Sequence, residues 1–306
     1  MKFSLGLHTE RVDLGNEFVR ADSIATVARA AEKAGFDAVH VTDHPFPADD
    51  WMAQGGHHAL DPFVPLSAAA AATTTLRLMT NIFVLPYRNP FLSAKSVTSL
   101  DVLSGGRVIL GLAAGYLEKE FHALGADFAN RNDLCDDAIN AMKAAWTTPG
   151  LELEGPGYAV HGHTMLPQPI QKPHPPLWVG GNAKRAIRRA VELCDGWIPM
   201  HNPKQFADIR RSAPIEDTND LQNLIAYAND HAEKVGRKEP LDISYGARGT
   251  RMFNNPSFDH SRLLNSINDL AEVGVTYMTI GLPGESTTEL AEAAGKFGDK
   301  IIDALA

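Results

Sequence analysis

From Leu76 to Glu120 the chain runs apolar, then mixed, then apolar again, and this alternation sets the pattern for most of what surrounds it. Leu76–Leu85 is an almost unbroken apolar run, as expected of a strand buried on both faces. Pro86 and Pro90 end it, and Pro90 can open a helix because an N–H is not needed at that position. Ser93–Leu103 then repeats apolar residues at helical spacing (Ala94, Val97, Leu100, Val102, Leu103) as far as Gly105-Gly106. Glycine accepts the left-handed conformation that often ends a helix. Val108–Ala113 is a second buried strand, opening into Gly115-Tyr116. Two buried strands joined by a helix make a parallel βαβ unit.

The unit recurs. Phe3–His8 predicts a first strand, Ala21–Ala34 an amphipathic helix, and Phe36–Thr42 a strand that delivers Asp43-His44-Pro45 into a loop. The stretch Pro47–Asp61 is rich in Pro, Gly, His and Asp and reads as a surface excursion, with Asp61 capping a helix that opens at Pro62. A helix over Asp133–Trp146 precedes a looser insertion, Thr147–Pro176, read as loop or short hairpin. Strands at Leu177–Val179, Gly196–Met200, Leu241–Ala247 and Tyr277–Leu282 follow. Between and after them the pattern predicts helices over Ala183–Leu193, Pro203–Arg211, Asp220–Val235, His260–Val273 and Thr287–Leu305. Eight strands alternating with helices, with no break that would mark a linker, predict one domain over residues 1–306. The fold class is α/β, a (β/α)8 TIM barrel with insertion loops; a doubly wound sheet is the alternative.

Composition changes this picture little and excludes some functions. A net charge of −9, with no basic stripe, argues against a nucleic-acid surface. The two cysteines, Cys135 and Cys194, are far apart and fit no metal-ligand spacing. Met1-Lys2 leads straight into a strand and no apolar run has membrane-spanning length, so the expectation is a cytoplasmic protein without a membrane partner.

In a barrel the chemistry lies where strands hand over to loops at their C-terminal ends. His8, Asp43-His44, Asn81, Gly115-Tyr116, Gly180-Gly181-Asn182, Met200-His201, Arg248 and Gly281 fall there. Asp43-His44 brings a carboxylate and an imidazole to one strand end, suited to binding a polar ring or moving a proton; a plain loop start is the simpler alternative. Gly180-Gly181-Asn182-Ala183 exposes backbone N–H groups before a helix, with Asn182 at its N-cap, and so offers an anion site. Asn81 is an amide inside an apolar strand and needs a partner or a ligand, since an unmet buried amide costs about 1–3 kcal/mol. Tyr116 is placed for its hydroxyl to reach a pocket. His57-His58 and His161-x-His163 lack companions at metal-binding spacing and read as solvated loop histidines, so no metal is expected. Arg88, Lys95 and Arg107 read as scaffold anchors or subunit contacts.

Four blocks carry a resemblance: AEKAGFDAVHVTDHPFP, LMTNIFVLPYRNPFLSAKSVTSLDVLSGGRVILGLAAGYLEKEF, PHPPLWVGGNAKRAIRRAVELCDGWIPM and LAEVGVTYMTIGLP. In this order they resemble the luciferase-like monooxygenase superfamily, and in particular its coenzyme F420-dependent oxidoreductases. The resemblance implies a (β/α)8 barrel, a homodimer, and a flavin or deazaflavin lying across the strand ends. It places Asp43 and His44 beside the ring, with Gly115 in the same strand-end set, and a non-prolyl cis peptide at Asn81-Ile82 behind the ring. Gly180, Gly181, Asn182 and Ala183 would hold the cofactor phosphate. One departure matters: sugar-phosphate dehydrogenases of this superfamily carry a catalytic glutamate where this chain has Tyr116. Glu118 and Glu120 are near in sequence, but helical spacing turns them elsewhere, and Glu120 reads as structural. The expected activity is hydride transfer between coenzyme F420 and a small organic substrate, with His44 as proton donor or acceptor and Tyr116 as an auxiliary donor. The alternatives are an FMN-dependent monooxygenase using O2 and a partner reductase, and a non-catalytic flavin-binding relative. The substrate pocket would be lined by 45–61, 147–176 and 248–255, loops that a single sequence does not decode.

Overall fold

The computed structural model describes residues 1–305. Its centre is a closed barrel of eight parallel strands: β1 (Lys2–Gly6), β2 (Ala38–Val41), β3 (Arg77–Val84), β4 (Val108–Ala113), β7 (Leu177–Gly180), β8 (Gly196–Ile198), β9 (Asp242–Gly246) and β10 (Tyr277–Ile280). β5 (Leu151–Gly155) and β6 (Tyr158–His163) form a separate antiparallel hairpin inside the Thr147–Pro176 insertion. The barrel closes where β1 pairs with β10, Phe3 opposite Met278, and with β2, Leu5 opposite Val39. All six residues of β4 are buried, as its unbroken apolar run requires.

Two apolar layers hold the barrel. Met79, Ile109, Trp178, Ile198 and Tyr277 cluster apart from the rest. Trp178 on β7 meets Tyr277 on β10 edge to face at 4.8 Å. Those strands are not neighbours, so the contact crosses the barrel and this cluster fills its interior. A larger cluster seals the outer face of the sheet against the helices, with Leu5, Val39, Leu78, Leu110 and Val179 from the strands and Val27, Leu66, Val97 and Ile187 from the helices.

The helices start and stop for local reasons. The helix Pro90–Ser104 is capped by Asn89, whose side-chain oxygen accepts the Phe91 and Leu92 N–H groups, and it ends at Gly105 in the left-handed region (φ 71°). Arg107 donates to the carbonyls of Ala70, Thr73 and Leu76, tying off the helix Phe63–Ala72; it is the scaffold anchor expected of it. Pro203–Arg211 is not a helix. It forms one tight turn at Lys204–Phe206, and Phe206 and Ile209 stay exposed, so no apolar face docks to stabilise a helix. The last helix is regular only over Thr287–Phe297 and then widens into a π-type turn at Gly298–Ile302. No described helix is long and apolar enough to cross a membrane.

Candidate active site

The C-terminal ends of β2, β3 and β4 converge on a buried carboxylate. Glu120 lies on a short helix, Glu118–Ala123, that follows β4, and its side chain is fully buried. Its Oε2 accepts from His44 Nδ1 (3.2 Å) and from the Tyr87 hydroxyl (2.8 Å), while Oε1 accepts from the Phe46 N–H (2.9 Å). Burial alone would raise the Glu120 pKa, but the hydrogen bonds from His44, Phe46 and Tyr87 outweigh it and hold the carboxyl below its ordinary value. Burial and the adjacent Glu120 charge push the Tyr87 hydroxyl far up, so it stays protonated. The sequence expectation that Glu120 turns away from the site is therefore corrected. The short helix begins at Glu118 and docks with Glu120 and Phe121 inward, and Glu118 instead pairs with Arg211 at 3.2 Å.

With Nδ1–H committed to a carboxylate, His44 presents Nε2 as an acceptor. Its ring packs on Trp51 (centroids 4.5 Å apart) and edge to face on His57 (4.8 Å). His57 is thus part of the site rather than a solvated loop residue, and burial, then the neighbouring His44, lower its pKa to about 4. Asp43 plays a different part. Its oxygens accept from both Arg88 Nη atoms (2.8 and 2.9 Å) and from the Val84 N–H (2.9 Å), so it locks the end of β2 to the end of β3. Tyr116 sits in the same group: burial raises its pKa, opposed by Arg210, so its hydroxyl remains a donor at neutral pH.

Beside this cluster a cavity of about 560 Å³ opens at the ends of β1, β2, β3 and β10, lined among others by His8, His40, His57, Asn81 and Arg251. His8 is 4% exposed and neither ring nitrogen has a hydrogen-bond partner among the described residues. Burial lowers the pKa of His8, and that of His40 to about 4, so both rings are neutral at pH 7. Among the described residues no cluster of His, Cys, Asp or Glu is arranged to hold a metal ion. The Asn81–Ile82 peptide is cis, and there the pairing of β3 with β4 shifts register between Thr80 and Phe83. Ile82 lies against Gly180 so closely that a Cβ on Gly180 would stand 2.9 Å from Ile82 Cδ1. This contact joins the Asn81–Ile82 bend to the Gly180–Ala183 loop.

That loop differs in detail from the expectation. Asn182 is not the N-cap of the following helix, Lys184–Leu193; Ala183 is. The Asn182 side chain donates to the Met200 and Ala213 carbonyls and accepts the Met200 N–H, and its own N–H donates to Ser212 Oγ. The Gly181 N–H donates to the Ile198 carbonyl. The N–H groups free to meet an anion are those of the helix's first turn, Lys184, Arg185 and Ala186. Gly115 follows β4 with φ 79°, packed under Val84 and Phe121.

The sequence profile described as luciferase-like monooxygenase matches residues 1–246. The chain belongs to this family. An uncharacterised protein of Mycobacterium tuberculosis is 34% identical over 230 residues, covering 71% of this chain and 74% of that protein. An FMNH2-dependent dimethylsulfone monooxygenase of Pseudomonas putida is 28% identical over 69% of this chain and 55% of its own length. Among solved structures, the monooxygenase RslO1 of Streptomyces bottropensis superposes with a TM-score of 0.81 at 20% identity, covering all of both chains. The coenzyme F420-dependent tetrahydromethanopterin reductase of Methanopyrus kandleri superposes at 0.73 and 16%, over 100% of this chain and 99% of that one. At such identities the superpositions speak to the fold. Proteins that share this fold thus include a coenzyme F420-dependent reductase and a Baeyer–Villiger monooxygenase component of Pseudomonas putida in complex with FMN (TM-score 0.73, 14% identity, 98% of both chains).

The sequence singles out Asp43, His44, Asn81, Tyr116 and the glycine loop; it presents Glu120 as structural and His57 as a solvated loop residue, which the structure corrects, and gives no sign of Tyr87. A signal for one of them was present: in GYLEKEF a Glu stands beside a Phe that must be buried, and a two-residue inward face on a short helix carries both.

Proposed function

We propose that this chain is a coenzyme F420-dependent oxidoreductase that transfers a hydride between the deazaflavin and a small organic substrate. The observation that carries the reading is the buried His44–Glu120 pair beside a cavity lined by His8, a buried ring with no hydrogen-bond partner among the described residues. The residues present fit the group. Asn81 and Ile82 would back the ring, and the unpaired N–H groups of Lys184–Ala186, beside Gly180, Gly181 and Ala183, would take its phosphate. A bound deazaflavin supplies a carbon that accepts or donates hydride.

The chain's own residues supply the proton. Glu120 fixes the His44 tautomer with Nδ1–H donating to it, which leaves Nε2 as the base that takes a hydroxyl proton when the substrate is oxidised, or returns it when a carbonyl is reduced. Asp43, held by Arg88, positions the loop that carries His44, and Trp51 and His57 exclude water from the ring. Tyr116 offers an auxiliary hydrogen bond. The missing glutamate at position 116 does not leave the site without a carboxylate, because Glu120, on the helix that starts at Glu118, reaches His44. An FMN-dependent oxygenase is the second reading, favoured by the FMNH2-dependent relative. Replacing His44 with Ala is expected to lower turnover far more than cofactor affinity; equal loss of both, or of neither, would remove His44 from the role.

A further inference from the structure

A cluster of guanidinium groups beside the glycine loop is not used by the reading above. Phe128 is buried and packs edge to face on Phe121. Two arginines lie on its ring: the Arg131 guanidinium carbon is 4.1 Å from the centroid, and that of Arg211 is 4.7 Å. Each contact is favourable by itself, but placing two cations on one ring opposes like charges across a short distance. Among the described residues Arg131 has no carboxylate partner. It donates only to the Gly115 and Phe128 carbonyls, which fixes it at the end of β4. Arg211 has one, Glu118 at 3.2 Å, an exposed pair with both side chains about half accessible. Arg210, next in chain, donates to Asn202 and also forms no ion pair with any described residue. Burial, then Arg211 and Arg185, depress the Arg131 pKa against the opposing pull of Glu118.

The cluster is also in a telling place. Arg211 adopts positive φ (47°), and the residues after it dock directly on the glycine loop: Ser212 Oγ accepts the Asn182 N–H, and the Ala213 carbonyl accepts from Asn182 Nδ2. Arg185, in the first turn of the helix after that loop, is already neutralised by Asp133 and Asp136. Leaving the helix N-terminus on this side, a ligand therefore passes from one anion site to a second, pre-formed and short of negative charge.

We propose that Arg131 and Arg211, held on Phe128 beside the Gly180–Ala183 loop, form a clamp for carboxylates attached beyond the cofactor's phosphate. Glu118 occupies the Arg211 end until such a group displaces it. The inference rests on the F420 reading and deepens it, because FMN ends at its phosphate whereas coenzyme F420 continues into a lactyl and oligoglutamyl tail with a carboxylate on every unit. Guanidinium groups suit this task, since the planar fork matches a carboxylate and the aromatic ring holds it in place before the ligand arrives.

The test is a fluorescence titration of the purified protein with three probes: the deazaflavin nucleoside without phosphate, the phospholactyl form without glutamate, and the form with several glutamates. The wild type is expected to bind the glutamylated form about five-fold more tightly than the phospholactyl form, the ceiling for an exposed ion pair. Raising the salt concentration should remove that gain. Arg211→Gln is expected to abolish the gain while leaving affinity for the phospholactyl form unchanged, and Glu118→Gln to increase the gain. Equal affinity of the wild type for both phosphorylated forms, or uniform weakening of all three probes by Arg211→Gln, would overturn the clamp alone. Failure of every deazaflavin probe to bind would overturn the F420 reading and the clamp with it.

Discussion

Replacing Glu120 with Gln keeps the shape of the side chain and removes its charge and one of its two acceptor oxygens. The carboxylate accepts three hydrogen bonds, from His44 Nδ1, the Tyr87 hydroxyl and the Phe46 N–H, and its side chain is fully buried. An amide has one acceptor and one donor end. The Phe46 N–H is an obligatory donor, so the amide oxygen must face it, and the NH2 then faces Tyr87 and His44. Tyr87 can rotate its hydroxyl to accept. His44 can accept at Nδ1 only by moving its own proton to Nε2, which removes the base from the side where substrate would stand. Bonds to a charged acceptor contribute about 1.5–3 kcal/mol and neutral ones about 0.5–1.5, so three weakened bonds cost roughly 3 kcal/mol. At about 2.1 cal/mol/K per residue over 306 residues, that corresponds to a drop of about 5 °C in Tm. The tautomer is read without any substrate, by long-range 1H–15N NMR of the imidazole. The wild type is expected to carry the His44 proton on Nδ1 and the variant on Nε2, with turnover on any identified substrate falling at least about 100-fold. A wild-type His44 protonated on Nε2, or an unchanged tautomer and Tm in the variant, would refute this role for Glu120.

Other consequences follow from burial and charge. His40 and His57 have pKa values lowered from 6.5 to about 4, so each is neutral in the folded protein while the unfolded chain takes up a proton below pH 6.5. Stability is fully present above pH 6.5 and falls as the pH drops towards 4, by roughly 3 kcal/mol for each ring; the depressed pKa of Glu120 adds a further loss below its ordinary value of 4.5. Urea denaturation midpoints between pH 7.5 and 4.5 measure it, and a flat profile would contradict the neutral state of these half-buried rings. On the opposite side of the helix layer, Val64, Leu92 and Leu103 are 66–73% exposed on the helices Phe63–Ala72 and Pro90–Ser104. A homodimer through this face is expected to give a light-scattering mass near twice 33.1 kDa, and Leu103→Glu a shift towards the protomer; a wild-type mass of one protomer would oppose it.

The barrel was legible because its strands are buried on both faces and its helices on one, patterns that need no knowledge of distant residues. Val108–Ala113 matches the expected strand to the residue, and Asn89-Pro90 to Gly105 punctuates its helix by purely local chemistry. The misreadings arise where tertiary docking decides. Pro203–Arg211 has helical spacing but no surface to receive Phe206 and Ile209, so it turns instead. Asn182 has the chemistry of an N-cap, yet its side-chain oxygen is taken by the Met200 N–H while the Met200 and Ala213 carbonyls hold its amide nitrogen. Glu120 faces inward because the short helix docks on Phe121, an orientation set by residues 74 to 76 positions earlier in the chain, Phe46 and His44. His57 reaches the site only because the loop from Pro47 folds back over His44, which composition does not reveal.

The most direct measurement is a binding titration of the purified protein with oxidised coenzyme F420 and, separately, with FMN. Micromolar or tighter binding of the deazaflavin with little for FMN is the expected result, and it would mark a hydride-transfer enzyme. The reverse preference would contradict the F420 reading and point to an oxygen-using flavin enzyme. Binding of neither would contradict the assignment of the Gly180–Ala183 loop and the first turn after it as the cofactor's phosphate site.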